Sequence, residues 1–109
     1  MPMLAFTKFR DKLLSGEKTQ TIRLHRKHPI KLGEILYIYW RLRTKQCEKL
    51  FEAHCTSMDT HPFREIAYDE TIARLDGFKD SEEMRACLTT MHPKLMTDTL
   101  VDVIRWSKE

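Results

Sequence analysis

The sequence predicts an α+β fold: a small, mostly antiparallel β-barrel of about five strands with two to three flanking helices. The spacing of apolar side chains is strand-like in some segments and helix-like in others. Along the chain it predicts the order strand, helix, strands, helices, strand. Closure into a barrel is expected because five short strands would otherwise leave exposed sheet edges. The length of 109 residues, with 41% hydrophobic and 32% charged residues, predicts one globular domain over residues 1–109.

The N-terminal part predicts a strand, a short helix and a second strand. Residues 3–7 form an apolar run suited to the first strand. Apolar residues then recur at helical spacing, and Gly16 occupies a C-cap position, which predicts a helix ending at Ser15. Residues 18–24 alternate with period two, as expected of a strand.

The middle of the chain predicts two further strands. Residues 25–33 contain a proline and a glycine among charged residues and indicate a loop. The clearest strand signal follows at residues 34–42, where aromatic and β-branched side chains dominate. Residues 49–58 predict another strand, although their apolar pattern is weaker.

The C-terminal part predicts helices and a last strand. Residues 64–75 show a loose helical rhythm. Asp80 or Ser81 is suited to cap a helix that runs to about Met91, with glutamates in its first turn. Residues 97–106 are rich in aliphatic side chains and predict the final strand.

Charge permits a nucleic-acid partner without requiring one. The formal net charge is +3 and the pI about 8.8. Lysines and arginines concentrate between positions 8 and 49, whereas acidic residues are frequent between 59 and 83. This distribution predicts a basic face and an acidic face.

The cysteines and the absence of long apolar segments predict a cytoplasmic protein without a membrane anchor. Cys47, Cys55 and Cys87 form no CxxC pair, which is typical of reduced intracellular thiols. The chain shows no signal-peptide pattern and no apolar run long enough to span a bilayer. The usual metal-ligand spacings do not occur, so we expect neither a metal nor an organic cofactor.

The candidate site begins with residues 16–23, which fit the pattern G-x-K-x-x-T-x-R. Thr21 and Arg23 share one strand face, and a turn after Gly16 could bring the Lys18 ammonium toward them. Such a group suits an anionic or carbonyl-bearing ligand, since arginine grips phosphates and base edges. If burial made Lys18 neutral, its amine could deprotonate the Thr21 hydroxyl and activate it as a nucleophile.

With the flanking residues 13–15 and 30–36, this motif closely resembles the ASCH family. The resemblance covers most of the chain, although after residue 60 it depends on element order and on the segment Asp76-Gly77-Phe78. It implies a barrel like that of PUA domains in RNA-modifying enzymes. It also implies a cleft lined by Lys18, Thr21 and Arg23.

The first function that the resemblance implies is the binding of RNA or a modified nucleoside in this cleft. The residues predicted to bind the ligand are Arg23, Arg26, Lys27 and Lys31. Basic loop residues would meet the RNA backbone while the cleft receives a base. Arg23 has an alternative structural role, pairing with Asp76 or Glu70.

The second implied function is hydrolysis of an acetylated nucleoside. Bacterial proteins similar to this chain remove the acetyl group from N(4)-acetylcytidine with a lysine, a threonine and an assisting glutamate. The resemblance makes Lys18 the base and Thr21 the nucleophile, and it makes Asp76 the acidic partner, with Glu70 or Glu82 as alternatives. A ribonuclease that uses Lys18 and a nearby histidine is a third possibility.

Overall fold

The computed structural model describes residues 3–25 and 27–108, which form five strands and four helices. In chain order the elements are β1 (Met3–Phe6), α1 (Arg10–Ser15), β2 (Gln20–Leu24), β3 (Ile35–Trp40), β4 (Glu48–Pro62), α2 (Phe63–Ile66), α3 (Glu70–Leu75), α4 (Ser81–Met91) and β5 (Leu100–Lys108). None of these helices is long and apolar enough to cross a membrane.

The five strands form one mixed sheet in the order β1-β3-β4-β5-β2. Only β1 and β3 run parallel, and the other neighbouring pairs are antiparallel. The outermost strands β1 and β2 nevertheless lie close together: the Arg23 side chain on β2 donates a hydrogen bond to the Ala5 carbonyl on β1. The sheet is therefore curled into a half-barrel, which confirms the α+β prediction.

Two hydrophobic cores lie on opposite faces of the sheet. On β5, Val101 and Val103 pack with the apolar side chains of α2, α3 and α4. Ile104 and Trp106 belong to the other core, inside the half-barrel, with residues of β1 and β3. This separation gives β5 apolar residues on both faces, as expected for a strand between two packed layers.

Several elements have different bounds from those predicted. The segment 64–75 divides into two helices because the Asp69 side chain accepts a hydrogen bond from the Ile72 amide and starts α3 there. The described residues therefore contain four helices where two to three were predicted. Asp80, and not Ser81, is the N-cap of α4, since its carboxylate accepts the Glu83 amide.

Strand bounds differ as well: β5 covers Leu100–Lys108 where residues 97–106 were predicted, and the ends of β4 and β2 are set by distant partners. β4 extends to Pro62, where it is still paired with Leu100 of β5. β2 begins at Gln20 rather than at residue 18, because the amides of Lys18 and Thr19 donate to carbonyls of α1 and α3.

Candidate functional site

A cleft of about 190 Å³ opens in the gap between the edge strands β1 and β2, with α4 along one side. Its lining includes Ala5 and Phe6 of β1, Thr21 and Arg23 of β2, Leu88 and Met91 of α4, together with Lys18, Asp76 and Phe78. The cleft thus combines apolar walls with a small polar group, which is typical of ligand sites.

Local backbone geometry directs the polar residues into this cleft. Gly16 adopts φ +88° and ends α1, and the Lys18 amide then donates to the Lys12 carbonyl at 3.0 Å. Asp76 is the C-cap of α3, and Gly77 follows with φ +98°. The two glycine turns leave Lys18 and Asp76 side by side at the inner end of the cleft.

Lys18 and Asp76 form a buried ion pair. The Lys18 Nζ lies 3.2 Å from Asp76 Oδ2 and donates to the Asp76 main-chain carbonyl at 2.6 Å. The two residues are 3% and 5% exposed. Gln20 Nε2 lies 3.5 Å from Asp76 Oδ1, and the rings of Phe6 and Phe9 are within 5.6 Å of the ammonium. The pair therefore has little contact with water.

Burial shifts both groups of the pair toward their neutral forms. It lowers the pKa of Lys18 from its ordinary value of 10.5, while the charge of Asp76 opposes that change. It also raises the pKa of Asp76 from its ordinary 3.8, against the opposing charge of Lys18. A lysine in this setting can release its proton more readily than an exposed one.

Arg23 connects the two edge strands and also faces Thr21. Its Nε donates to Thr21 Oγ1 at 3.1 Å and its Nη2 donates to the Ala5 carbonyl at 2.7 Å. The guanidinium carbon lies 5.0 Å from the centre of the Phe6 ring. The positive charge of Arg23 is therefore held beside the Thr21 hydroxyl, where it would stabilise negative charge on that oxygen.

Known proteins resemble this chain in structure. The sequence matches no protein-family model, and no curated protein matches it. An ASCH domain from Lactobacillus crispatus JV V101 superposes with a TM-score of 0.69 at 14% identity, covering 98% of this chain and 79% of that one. The chain has the ASCH fold.

Two further structures share this ASCH-like architecture. Protein EF3133 from Enterococcus faecalis V583 has a TM-score of 0.66 and 17% identity, over 90% of this chain and 67% of that one. Hypothetical protein PH0355 has a TM-score of 0.71 and 18% identity, over 98% and 97%. Identities this low establish a common fold and do not carry the function of one protein over to another.

Of the three acidic partners considered for Lys18, only Asp76 lies beside it in this ASCH fold. Glu70 accepts hydrogen bonds from the Ser81 amide at 3.1 and 3.2 Å and so belongs to the start of α4. Glu82 is exposed in the first turn of α4. Neither glutamate is among the residues that line the cleft.

The predicted basic loop lies apart from the cleft. Lys27 and Lys31 are exposed, and neither lines the cleft. Arg26 lies outside the described residues. Ligand contacts by this loop remain a prediction, and they would require a ligand that extends beyond the cleft.

Sequence reasoning missed several residues of the site. Gln20 is fully buried and connects Asp76, the Ile72 carbonyl and Arg105. A signal was present, because Gln20 shares a strand face with Ile22, and a polar residue in an apolar register needs buried partners. The contributions of Phe6 and of the α4 residues had no sequence signal, since they depend on tertiary packing.

Proposed function

We propose that this protein binds RNA or a modified nucleoside, with one base in the cleft between β1 and β2. The observation that carries the proposal is the convergence of Lys18, Thr21, Arg23 and Asp76 on a single cleft. Its volume of about 190 Å³ is below the range of roughly 300–1,000 Å³ found for drug-sized ligands. A space of this size suits a single base better than a larger group.

The chemistry of the lining supports a base as the occupant. Leu88 and Met91 supply apolar surface for the faces of a planar ring. The Thr21 hydroxyl can donate or accept a hydrogen bond, and the Arg23 guanidinium donates, so together they suit the mixed polar edge of a base. The exposed Lys27 and Lys31 would contact the backbone of a longer RNA, and binding should then weaken with salt.

A second candidate function, deacetylation of an N(4)-acetylcytidine-like nucleoside, is favoured by the buried Lys18–Asp76 pair. Because burial lowers the pKa of Lys18, its neutral amine can remove the Thr21 hydroxyl proton. The oxygen then attacks the acetyl carbonyl, and the charge that develops near Arg23 is stabilised. The carbon–nitrogen bond breaks as the Lys18 ammonium protonates the departing amine.

Water completes this second reaction. Lys18, neutral again, takes a proton from water as it attacks the Thr21 acyl ester, and acetate leaves as the threonine oxygen regains its proton. Asp76 holds the Lys18 side chain in place throughout, since its Oδ2 lies 3.2 Å from Lys18 Nζ. The nucleoside product is cytidine.

One experiment tests both functions. The purified protein is titrated with RNA and with N(4)-acetylcytidine, and release of cytidine is followed by chromatography. Thr21→Val removes the hydroxyl with little change of volume, and Thr97→Val makes the same change at an exposed position outside the cleft. We expect Thr21→Val to weaken binding while Thr97→Val does not.

The outcomes separate the two candidates. Cytidine release by the wild type and by Thr97→Val, with none by Thr21→Val, would establish the deacetylase. Binding without release would establish a binding protein. If neither RNA nor nucleoside binds, or if the two variants behave alike, the proposed site is wrong.

A further inference from the structure

The mouth of the cleft carries positive charge that the proposed chemistry does not use. Lys8 and His92 line it, and the exposed Lys8 reaches toward α4 with its Nζ 3.6 Å from Cys87 Sγ. Within residues 3–25 and 27–108, neither Lys8 nor His92 forms an ion pair with a carboxylate. At the inner end, by contrast, the charges of Lys18 and Asp76 offset each other.

A second groove continues from this mouth. It shares Met91 and His92 with the cleft and extends along the segment after α4 to Lys94, with a volume of about 430 Å³. Leu24, Pro93 and Leu95 give it apolar walls. No carboxylate occurs among the described residues that line the groove. Cleft and groove together form one path, with Lys8 at the mouth of the cleft, the His92 ring at the junction and Lys94 along the groove.

We infer that the ligand of the cleft is part of a nucleotide chain and not a free nucleoside. The base lies in the cleft, its phosphate lies at Lys8 and His92, and the neighbouring nucleotide occupies the groove beside Lys94. Spaced cations favour a chain with a phosphate at each nucleotide, and apolar walls between them favour its bases. This inference rests on the proposed function, since it takes the base in the cleft as its starting point.

The test compares ligands of increasing length. Binding is measured by calorimetry for the four ribonucleosides, their 5′-monophosphates and the corresponding RNA homopentanucleotides. We expect affinity to rise from nucleoside to monophosphate to pentanucleotide. The salt dependence of pentanucleotide binding is measured between about 50 and 200 mM.

Three alanine variants locate the contacts. Lys8→Ala and Lys94→Ala should each weaken pentanucleotide binding about two- to fivefold, the range of an exposed ion pair. Each should also reduce the slope of log K against log salt by about 0.7, the value for one phosphate of a single strand. Lys45→Ala removes an exposed lysine in the turn between β3 and β4 and should change neither quantity.

Each result has a definite meaning. If the nucleoside binds as tightly as the pentanucleotide, or if Lys8→Ala and Lys94→Ala behave like Lys45→Ala, the inference is overturned while the proposed function stands. If a polyglutamate peptide competes as well as RNA does, the surface recognises charge alone and the inference also fails. If the wild type binds N(4)-acetylcytidine but no nucleotide or pentanucleotide, the inference is overturned while the proposed function stands. If it binds neither N(4)-acetylcytidine nor any of these ligands, both fail.

Discussion

Removing one charge of the Lys18–Asp76 pair should destabilise the protein strongly, because the partner would remain buried without compensation. In Asp76→Asn, Lys18 can avoid being a buried unpaired charge only by losing its proton. Keeping Lys18 neutral at pH 7 against an ordinary pKa of 10.5 costs about 5 kcal/mol. In Lys18→Met, protonating Asp76 against its ordinary 3.8 costs about 4 kcal/mol. These values set upper limits on the electrostatic loss, and we expect about 3–5 kcal/mol for Asp76→Asn and about 3–4 kcal/mol for Lys18→Met.

The double variant Lys18→Met/Asp76→Asn should be no less stable than either single one. It leaves no buried charge. Besides the ion pair it loses the hydrogen bond from Lys18 to the Asp76 carbonyl and the contacts of the ammonium with the rings of Phe6 and Phe9, with an expected net loss of about 1–3 kcal/mol. The coupling energy should then exceed about 3 kcal/mol. Urea denaturation of the four proteins at pH 7 measures it.

A surface pair provides the matched control. Arg10 and Glu48 are separated by 2.7 Å, but their side chains are 38% and 49% exposed. The cycle of Arg10→Met and Glu48→Gln should give a coupling energy below about 1 kcal/mol. If the Lys18 and Asp76 losses add without coupling, the two charges do not interact in the folded protein and the reasoning is refuted.

Four other outcomes follow from the same geometry. The Lys18 ammonium should titrate below 10.5. Its pKa should be lower still in Asp76→Asn, because the Asp76 carboxylate raises the pKa of Lys18 in the wild type. NMR of the lysine side chain measures both values, and a midpoint at 10.5 would contradict the role of burial. Because the unfolded chain holds that proton more tightly, the free energy of unfolding should rise with pH between the lowered pKa and 10.5. Arg23→Met should accelerate amide hydrogen exchange in β1 but not in the centre of β4, since it removes the bond that spans the gap between the edge strands. Gly77→Ala should lower the free energy of unfolding by about 1–2 kcal/mol in urea titrations. The reason is that residue 77 has φ +98° and an added Cβ would lie 3.3 Å from the Phe9 ring. An unchanged midpoint of unfolding would show that the turn relaxes.

The sequence predicts those elements that are determined by their own residues. The aromatic and β-branched run of Ile35–Trp40 is a strand, and Gly16 ends α1 in a left-handed conformation. Predictions failed where a distant partner sets the boundary. Nothing within β4 indicates that it continues to Pro62, because that end is held by pairing with Leu100 nearly forty positions away.

The same distinction applies to the candidate site. The period-two spacing of Thr21 and Arg23 correctly places them on one face of β2, because alternation is a local property of a strand. Their position opposite Phe6 depends on the parallel pairing of β1 with β3 and on the curl of the sheet, neither of which has a local signal. The roles of these residues in binding or catalysis remain predictions.

Arg23 bridges the two edge strands and also lies in the proposed binding site. Because β1 and β2 are the edges of the sheet, no ladder of main-chain hydrogen bonds closes the gap between them, and a side chain that spans it leaves room for a cleft. The residue that bridges the gap therefore also lies in the cleft wall, against Thr21. A substitution at Arg23 should then change ligand affinity and the dynamics of β1 together, whereas a substitution at Thr21 should change affinity with a smaller effect on β1.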